Sequence, residues 1–184
     1  MIRWFLNRRL CAFEKQFDYD MSYAREILGV DIGAVWHLSH IAGAAAYRKD
    51  VPLDAWYAAK ITAALSGDCG PCTQLVVSMA EHEGVAAANL RAILAQEDRA
   101  MTPDAGLGSR FARAVLRRDL AEADTLRGEV VKRWGRRGLA SLALGISSSV
   151  VFPNLKYALG HGRACTEVSV EGVSAKLARS ESHA

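Results

Sequence analysis

Apolar and charged positions alternate at helical spacing from the first residues of the chain. Across Ile2 to Phe17, the residues Trp4, Phe5, Leu6, Leu10, Phe13 and Phe17 are expected to form one face. A face of that size calls for a docking surface, on the body of the protein or on another subunit. Asp20 or Ser22 suits the cap of a short second helix ending at Gly29. Asp31 suits the cap of a third, which holds Val35, Trp36, Leu38 and Ile41 and runs through an alanine-rich end near Tyr47.

Pro52 fits a first helical turn, with Asp54 near the positive end of the dipole. That helix runs from Leu53 to about Ser66 and stops at Gly67. The next opens at Asp68-Cys69-Gly70-Pro71-Cys72 and closes at Gly84; another spans about Ala86 to Gln96, and Glu97 to Thr102 reads as a loop. Thr102-Pro103-Asp104 starts a helix reaching about Arg118, and Asp119 caps one ending at Trp134-Gly135. The last long helix begins near Arg136 and continues to Gly160, with a kink or break expected at Pro153. Only Cys165 to Val173 alternates as a strand does, with no partner visible in the sequence, and the polar end from Gly172 to Ala184 is expected to fray.

Composition narrows the class. The chain has 184 residues, 51% hydrophobic and 23% charged, with a net charge of +3. It is apolar enough to bury a core, which sets aside disordered and collagen-like classes, and its length suits a single domain. The division expected is an N-terminal helical arm over 1–20, a helical domain over 21–165 and a tail over 166–184. The charge is too mild to indicate nucleic acid or a membrane surface as partner. The basic stretch Lys132, Arg133, Arg136 and Arg137 around Trp134 shares its region with Glu122, Asp124 and Glu129, so it reads as a solvated face or a subunit contact. The uncharged run Gly138 to Leu155 contains Ser, Asn and Pro positions and reads as a buried core helix rather than a membrane span. The opening residues, with Arg3, Arg8 and Arg9 in a short apolar run, do not resemble a secretory signal. Four cysteines make no disulfide scaffold, and the compartment expected is a reducing cytoplasm, where an isolated pair points to catalysis or metal binding.

Cys69-Gly70-Pro71-Cys72 carries the sharpest chemical signal. Gly67 ends one helix and Pro71 begins the next, so Cys69 falls at a helix N-terminus. Amide N–H groups there lack intrahelical partners and carry the positive end of the dipole, which stabilises a thiolate. Residues three apart in a helical turn lie close enough to close a disulfide. A half zinc site finds no second pair to complete it, and His82 lies about 15 Å further along the same helix. The same four residues mark thioredoxin active sites, but the lead-in Trp56 to Leu65 is amphipathic helix and not a strand. Two buried small residues remain the bland alternative.

An all-α chain with this motif at a helix start resembles the carboxymuconolactone decarboxylase superfamily, and within it the AhpD-like alkylhydroperoxidases. The segments Trp56-Tyr57-Ala58-Ala59-Lys60, Asp68 to Val77 and Phe152 to Gly162 carry the likeness, over about Met21 to Val170. The resemblance implies a helical domain, a homo-oligomer, and two thiols that need neither metal nor flavin. It also implies a small-molecule hydroperoxide or disulfide substrate, with a lipoyl-type or thioredoxin-type dithiol as external reductant. By analogy Cys72 attacks the peroxide and Cys69 resolves; helix-end electrostatics alone make Cys69 at least as nucleophilic. The family pattern has a Glu twelve residues before the first Cys, a His between the two and a His four after the second. Here those positions hold Tyr57, Pro71 and Val76, so the proton relay must come from elsewhere.

His161, between Gly160 and Gly162, Lys60 and Tyr57 are the candidate donors. The plain alternatives are a cation at a helix C-terminus for His161, and packing for the other two. Cys165 is a possible third thiol or an idle one, His37 and His40 lack a carboxylate at metal spacing, and Glu81, His82 and Glu83 are expected to face solvent. The sequence therefore points to an all-α dithiol redox enzyme. A lyase of the same superfamily and a helical interaction protein are the alternatives.

Overall fold

The computed structural model describes residues 2–164 and 167–178. Among them are eight α-helices: α1 (Ile2–Phe17), α2 (Ser22–Val30), α3 (Ile32–Ala45), α4 (Leu53–Ser66), α5 (Gly70–His82), α6 (Ala87–Ala95), α7 (Pro103–Arg117) and α8 (Leu120–Ala158). A single 3₁₀ turn, Asp98–Ala100, lies between α6 and α7. The all-α reading holds. Three caps are those the side chains dictate: Asp31 accepts from Gly33 N, Thr102 from Ala105 N and Asp119 from Glu122 N, each satisfying an orphan amide of a first turn; for α2 the N-cap position falls instead to Met21, between Asp20 and Ser22, and Asp20 accepts from Ser22 N at 2.8 Å just outside it.

The core is organised around α4, in which every residue from Ala55 to Leu65 is buried. Five of those eleven are alanine, so α5, α6, α7 and α8 can pack close on different sides of it. The approach of α7 is closest at Gly108, where a Cβ would stand 2.2 Å from the Ala55 carbonyl oxygen. Beside that contact Thr62 and Ser109 satisfy each other through a 2.9 Å hydrogen bond.

The expected break near Gly135 is present: this residue has φ 68° and ψ −177° inside α8, a conformation open to glycine. Pro153 does not break the helix. It is buried against Gly67, where a Cβ would meet the proline ring at 2.8 Å, and this packing offsets the missing N–H bond. By length and composition α8 could cross a membrane, and 44% of its most apolar stretch is buried in the fold. Its basic residues make ion pairs, Arg137 with Asp50 at 2.7 Å and Arg133 with Asp104.

Two further expectations are corrected. The tail strand does have a partner: β1 (Ser169–Val170) pairs antiparallel with β2 (Val173–Ser174). The hairpin docks on α5 and α6 because Gln74 bonds both the amide and the carbonyl of Ser169, Ala178 N reaches Leu94 O, and Val168 and Val170 are buried. The rest of the end expected to fray, beyond Ala178, and Cys165 lie outside the described residues.

The face of α1 also divides. Leu10, Phe13 and Phe17 pack around Tyr19 and Tyr23, whereas Trp4 and Phe5 are 66% and 54% exposed. Leu6, Leu10, Phe13 and Phe17 recur within one stripe at about 100° per residue, and Trp4 and Phe5 fall well outside it. Glu14 anchors the helix through Arg25 (2.6 Å) and Met21 N (2.9 Å).

Removing residues 1–17 withdraws the packing of Leu10, Phe13 and Phe17 and the Glu14–Arg25 pair. A loss of about 2 kcal/mol follows, read as a melting temperature lower by roughly 4–8 °C. An unchanged thermal unfolding curve would show that α1 is not docked on the body.

Candidate functional site

The turn between α4 and α5 delivers the cysteine motif. Cys69 takes the N-cap position of α5 with extended dihedrals, its Sγ accepting from Cys72 N at 3.3 Å, and Pro71 occupies the first turn. The Cys69 carbonyl accepts from both the amide and the hydroxyl of Thr73, at 2.9 and 3.0 Å. The chain leaving α8 clamps the motif from outside: the Tyr157 hydroxyl donates to Asp68 O at 2.8 Å, and Gly70 N donates to Arg163 O at 3.2 Å. Cys69 and Cys72 are joined by a disulfide with a Cα–Cα separation of 5.2 Å. The pair is buried, Cys69 completely and Cys72 with 4% exposure.

The two sulfurs are not equivalent. Cys72 lines a half-open cavity of about 570 Å³ formed by residues of α1, α2, α3, α4, α5 and α8, and Cys69 does not. The wall is largely apolar, with Phe13 and Phe17 from α1, Leu75, Val76 and Met79 from α5, and Phe152 from α8. Val76, one turn along α5 from Cys72, adds an apolar side chain to that wall.

Of the three expected donors, two face this cavity. Lys60 and Tyr57 line it beside Trp56. Lys60 is only 5% exposed; its ammonium donates to Ala45 O at 3.0 Å and stands 3.9 Å from the centre of the Trp56 ring. Burial pushes its pKa down from 10.5 to about 8, against the pull of the Glu83 carboxylate. Gly145 on α8 makes room for the lysine stem and the indole edge, since a Cβ there would stand 3.3 Å from each. The Tyr57 hydroxyl donates to Glu83 Oε1 at 2.7 Å, and burial together with that carboxylate holds the phenol well above its ordinary range. His161 is elsewhere. It is paired with Glu26 at 2.7 Å and does not line the cavity, although the loop it opens touches the motif through Arg163.

Glu83 is the residue that sequence reasoning missed. Glu81, His82 and Glu83 were expected simply to face solvent. His82 and Glu83 are indeed exposed, but both stand at the rim of the cavity, and Glu81 accepts from Glu171 N at 2.6 Å. A coarse signal lay in the α4–α5 hairpin, whose return past the turn at 67–69 brings the end of α5 back alongside the first half of α4, where Tyr57 stands. The apolar ceiling supplied by α1 had no comparable signal, because nothing local in the sequence says what α1 covers. No protein-family model, curated protein or solved structure matches the chain, so the chemistry of this site rests on its own geometry.

A buried lysine with no carboxylate within ion-pair distance among the described residues is held at a cost to stability. Lys60→Met, with similar bulk, is expected to melt at the same temperature or higher. The pH dependence has a definite sign. Between about 8 and 10.5 the unfolded chain binds more protons at this lysine than the folded one, so stability gains with rising pH in that window. Denaturant unfolding across the window should show this gain in the native sequence and lose it in Lys60→Met. Parallel curves for the two proteins would contradict the assignment.

Proposed function

We propose that this protein is a thiol–disulfide redox enzyme that reduces hydroperoxides through Cys69 and Cys72. The observation that carries the reading is the placement of one sulfur of a CxxC pair on the wall of a half-open, largely apolar cavity that also holds a buried lysine. The resemblance to AhpD-like alkylhydroperoxidases supports it, with Tyr57, Pro71 and Val76 standing where the family relay is expected.

In this reading the Cys72 thiolate attacks the distal oxygen of a hydroperoxide. The O–O bond breaks, Cys72 becomes a sulfenic acid and an alkoxide leaves. Lys60 gives the alkoxide its proton. An ammonium with a pKa of about 8 is suited to that task near neutral pH, whereas the Tyr57 proton is committed to Glu83 and His161 is paired outside the cavity. The Cys69 thiol then condenses with the sulfenic acid, releasing water and forming the disulfide. An external dithiol of lipoyl or thioredoxin type restores both thiols by exchange and is itself oxidised to a disulfide. The net reaction converts hydroperoxide and dithiol to alcohol, water and disulfide. Cys72 is the attacking sulfur because it faces the cavity; Cys69, behind it at the helix N-terminus, resolves. A reducing cytoplasm provides such a dithiol, and the exposed Trp4, Phe5 and Trp36 offer a contact surface for a second copy of the chain.

Peroxide turnover and exchange with a small disulfide separate the roles. Lys60→Met is expected to lower peroxide turnover more than tenfold, in line with the contribution of general acid catalysis, while leaving exchange within about threefold. Tyr57→Phe and His161→Ala should stay close to the native protein in both assays. If none of the three changes peroxide turnover and the native protein is itself slow, the chain is a dithiol oxidoreductase of another substrate and the peroxidase reading fails.

A further inference from the structure

Dithiol chemistry on a small peroxide needs neither the size nor the lining of this cavity. Its volume, about 570 Å³, lies in the range that encloses drug-sized ligands. Its ceiling is the apolar stripe of α1, with Leu10, Phe13 and Phe17 set over Leu75, Met79 and Phe152. In the α4 wall stands one deeply buried cation. Lys60 has three N–H donors and a single acceptor among the described residues, the Ala45 carbonyl. Trp56 beside it is 4% exposed, and its indole N–H finds no acceptor there either. The anionic group on the lining, Glu83, lies at the exposed rim with one oxygen taken by Tyr57, and Arg9 on α1 adds a second positive charge to the lining. A buried ammonium with one hydrogen-bond acceptor and otherwise only aromatic faces about it, at the side of an apolar space of this size, is complementary to one kind of molecule.

We infer that the cavity binds a single-chain carboxylate, an aliphatic acid anion of fatty-acid type, with its carboxylate on Lys60 and its chain against Leu10, Phe13 and Phe17. The chain buries its methylenes against the ceiling, and the carboxylate accepts from the ammonium beside the Ala45 carbonyl. The ligand class is assigned by the cavity alone and does not depend on the redox reading. Its functional consequence does rest on that reading. A bound carboxylate occupies the space before Cys72 and holds the proton donor, so it inhibits hydroperoxide reduction in competition with the hydroperoxide.

Binding is measured on the full chain with Cys69→Ser and Cys72→Ser, so that no redox step intervenes, using dodecanoate, dodecanol and dodecyltrimethylammonium as probes and tryptophan fluorescence or calorimetry as readout. Dodecanoate is expected to bind at least tenfold more tightly than the other two. Lys60→Met should weaken dodecanoate by about tenfold or more, the effect of losing a charged hydrogen-bond partner, while dodecanol changes less than threefold. Phe13→Ala with Phe17→Ala should weaken both acid and alcohol. Equal binding of the three probes, or equal loss of acid and alcohol in Lys60→Met with its melting curve intact, would overturn the placement of the carboxylate. No binding of any probe would overturn the site. In the native protein, dodecanoate should raise KM for a hydroperoxide and leave kcat unchanged. Binding without any hydroperoxide reduction would remove the redox proposal and leave this one standing; reduction without dodecanoate binding would do the reverse.

Discussion

The burial of α4 on all sides is the constraint on which the rest of the structure depends. An isolated helix of fourteen residues is marginal in water, and this one, Leu53–Ser66, is held by neighbours around its whole circumference. The sequence permits this because alanines are interspersed with a few large side chains, and because the facing helices carry Gly108, where a methyl group would collide with the α4 backbone, and Gly145, where one would crowd Lys60 and Trp56. Once α4 is enclosed, its buried polar groups take their partners from within the fold, and the Trp56 indole N–H finds none among the described residues. Thr62 has Ser109, Tyr57 has Glu83, and Lys60 has one backbone carbonyl and two aromatic rings.

The chemistry of the site follows from that enclosure. The turn at Gly67, pressed against Pro153, aims the start of α5 so that Cys72 opens inward and Cys69 caps the helix. Burial lowers the lysine pKa toward neutrality and raises that of the tyrosine, which divides two otherwise inert groups into one that can release a proton and one that keeps it. A second lysine shows the same treatment. Lys156 is buried over Tyr19 and Tyr23 and hydrogen-bonded to the Tyr19 hydroxyl at 3.3 Å, and burial again lowers its pKa. Both lysines rest against aromatic faces rather than carboxylates, which keeps the interior apolar around the sulfurs.

Local signals made much of this legible. Asp31, Thr102 and Asp119 cap the helices they were expected to cap, Gly135 interrupts the long C-terminal segment, and the cysteine motif lies at a helix start, because each depends only on residues within one turn. Long-range relations were not legible. Pro153 continues its helix owing to packing on a glycine 86 residues earlier. The strand at Ser169–Val170 finds its partner across a two-residue turn, in a segment too polar to attract notice, and is fixed by Gln74 from α5. Tyr57 and Lys60 were legible as candidates beside the motif, but their separation in role was not, since it arises from Glu83 and from depth of burial. His161, set between glycines, had the stronger local pattern and proves to be paired with Glu26 away from the cavity.

Counting free thiols tests the account most directly. The fully reduced protein is treated with one equivalent of an organic hydroperoxide, in the native sequence and in Cys72→Ser, and thiols are titrated over time. The account predicts rapid loss of two thiols in the native protein, mapped to Cys69 and Cys72, and no rapid loss in Cys72→Ser. Thiols that persist in the native protein, or an equal loss in Cys72→Ser, would contradict it.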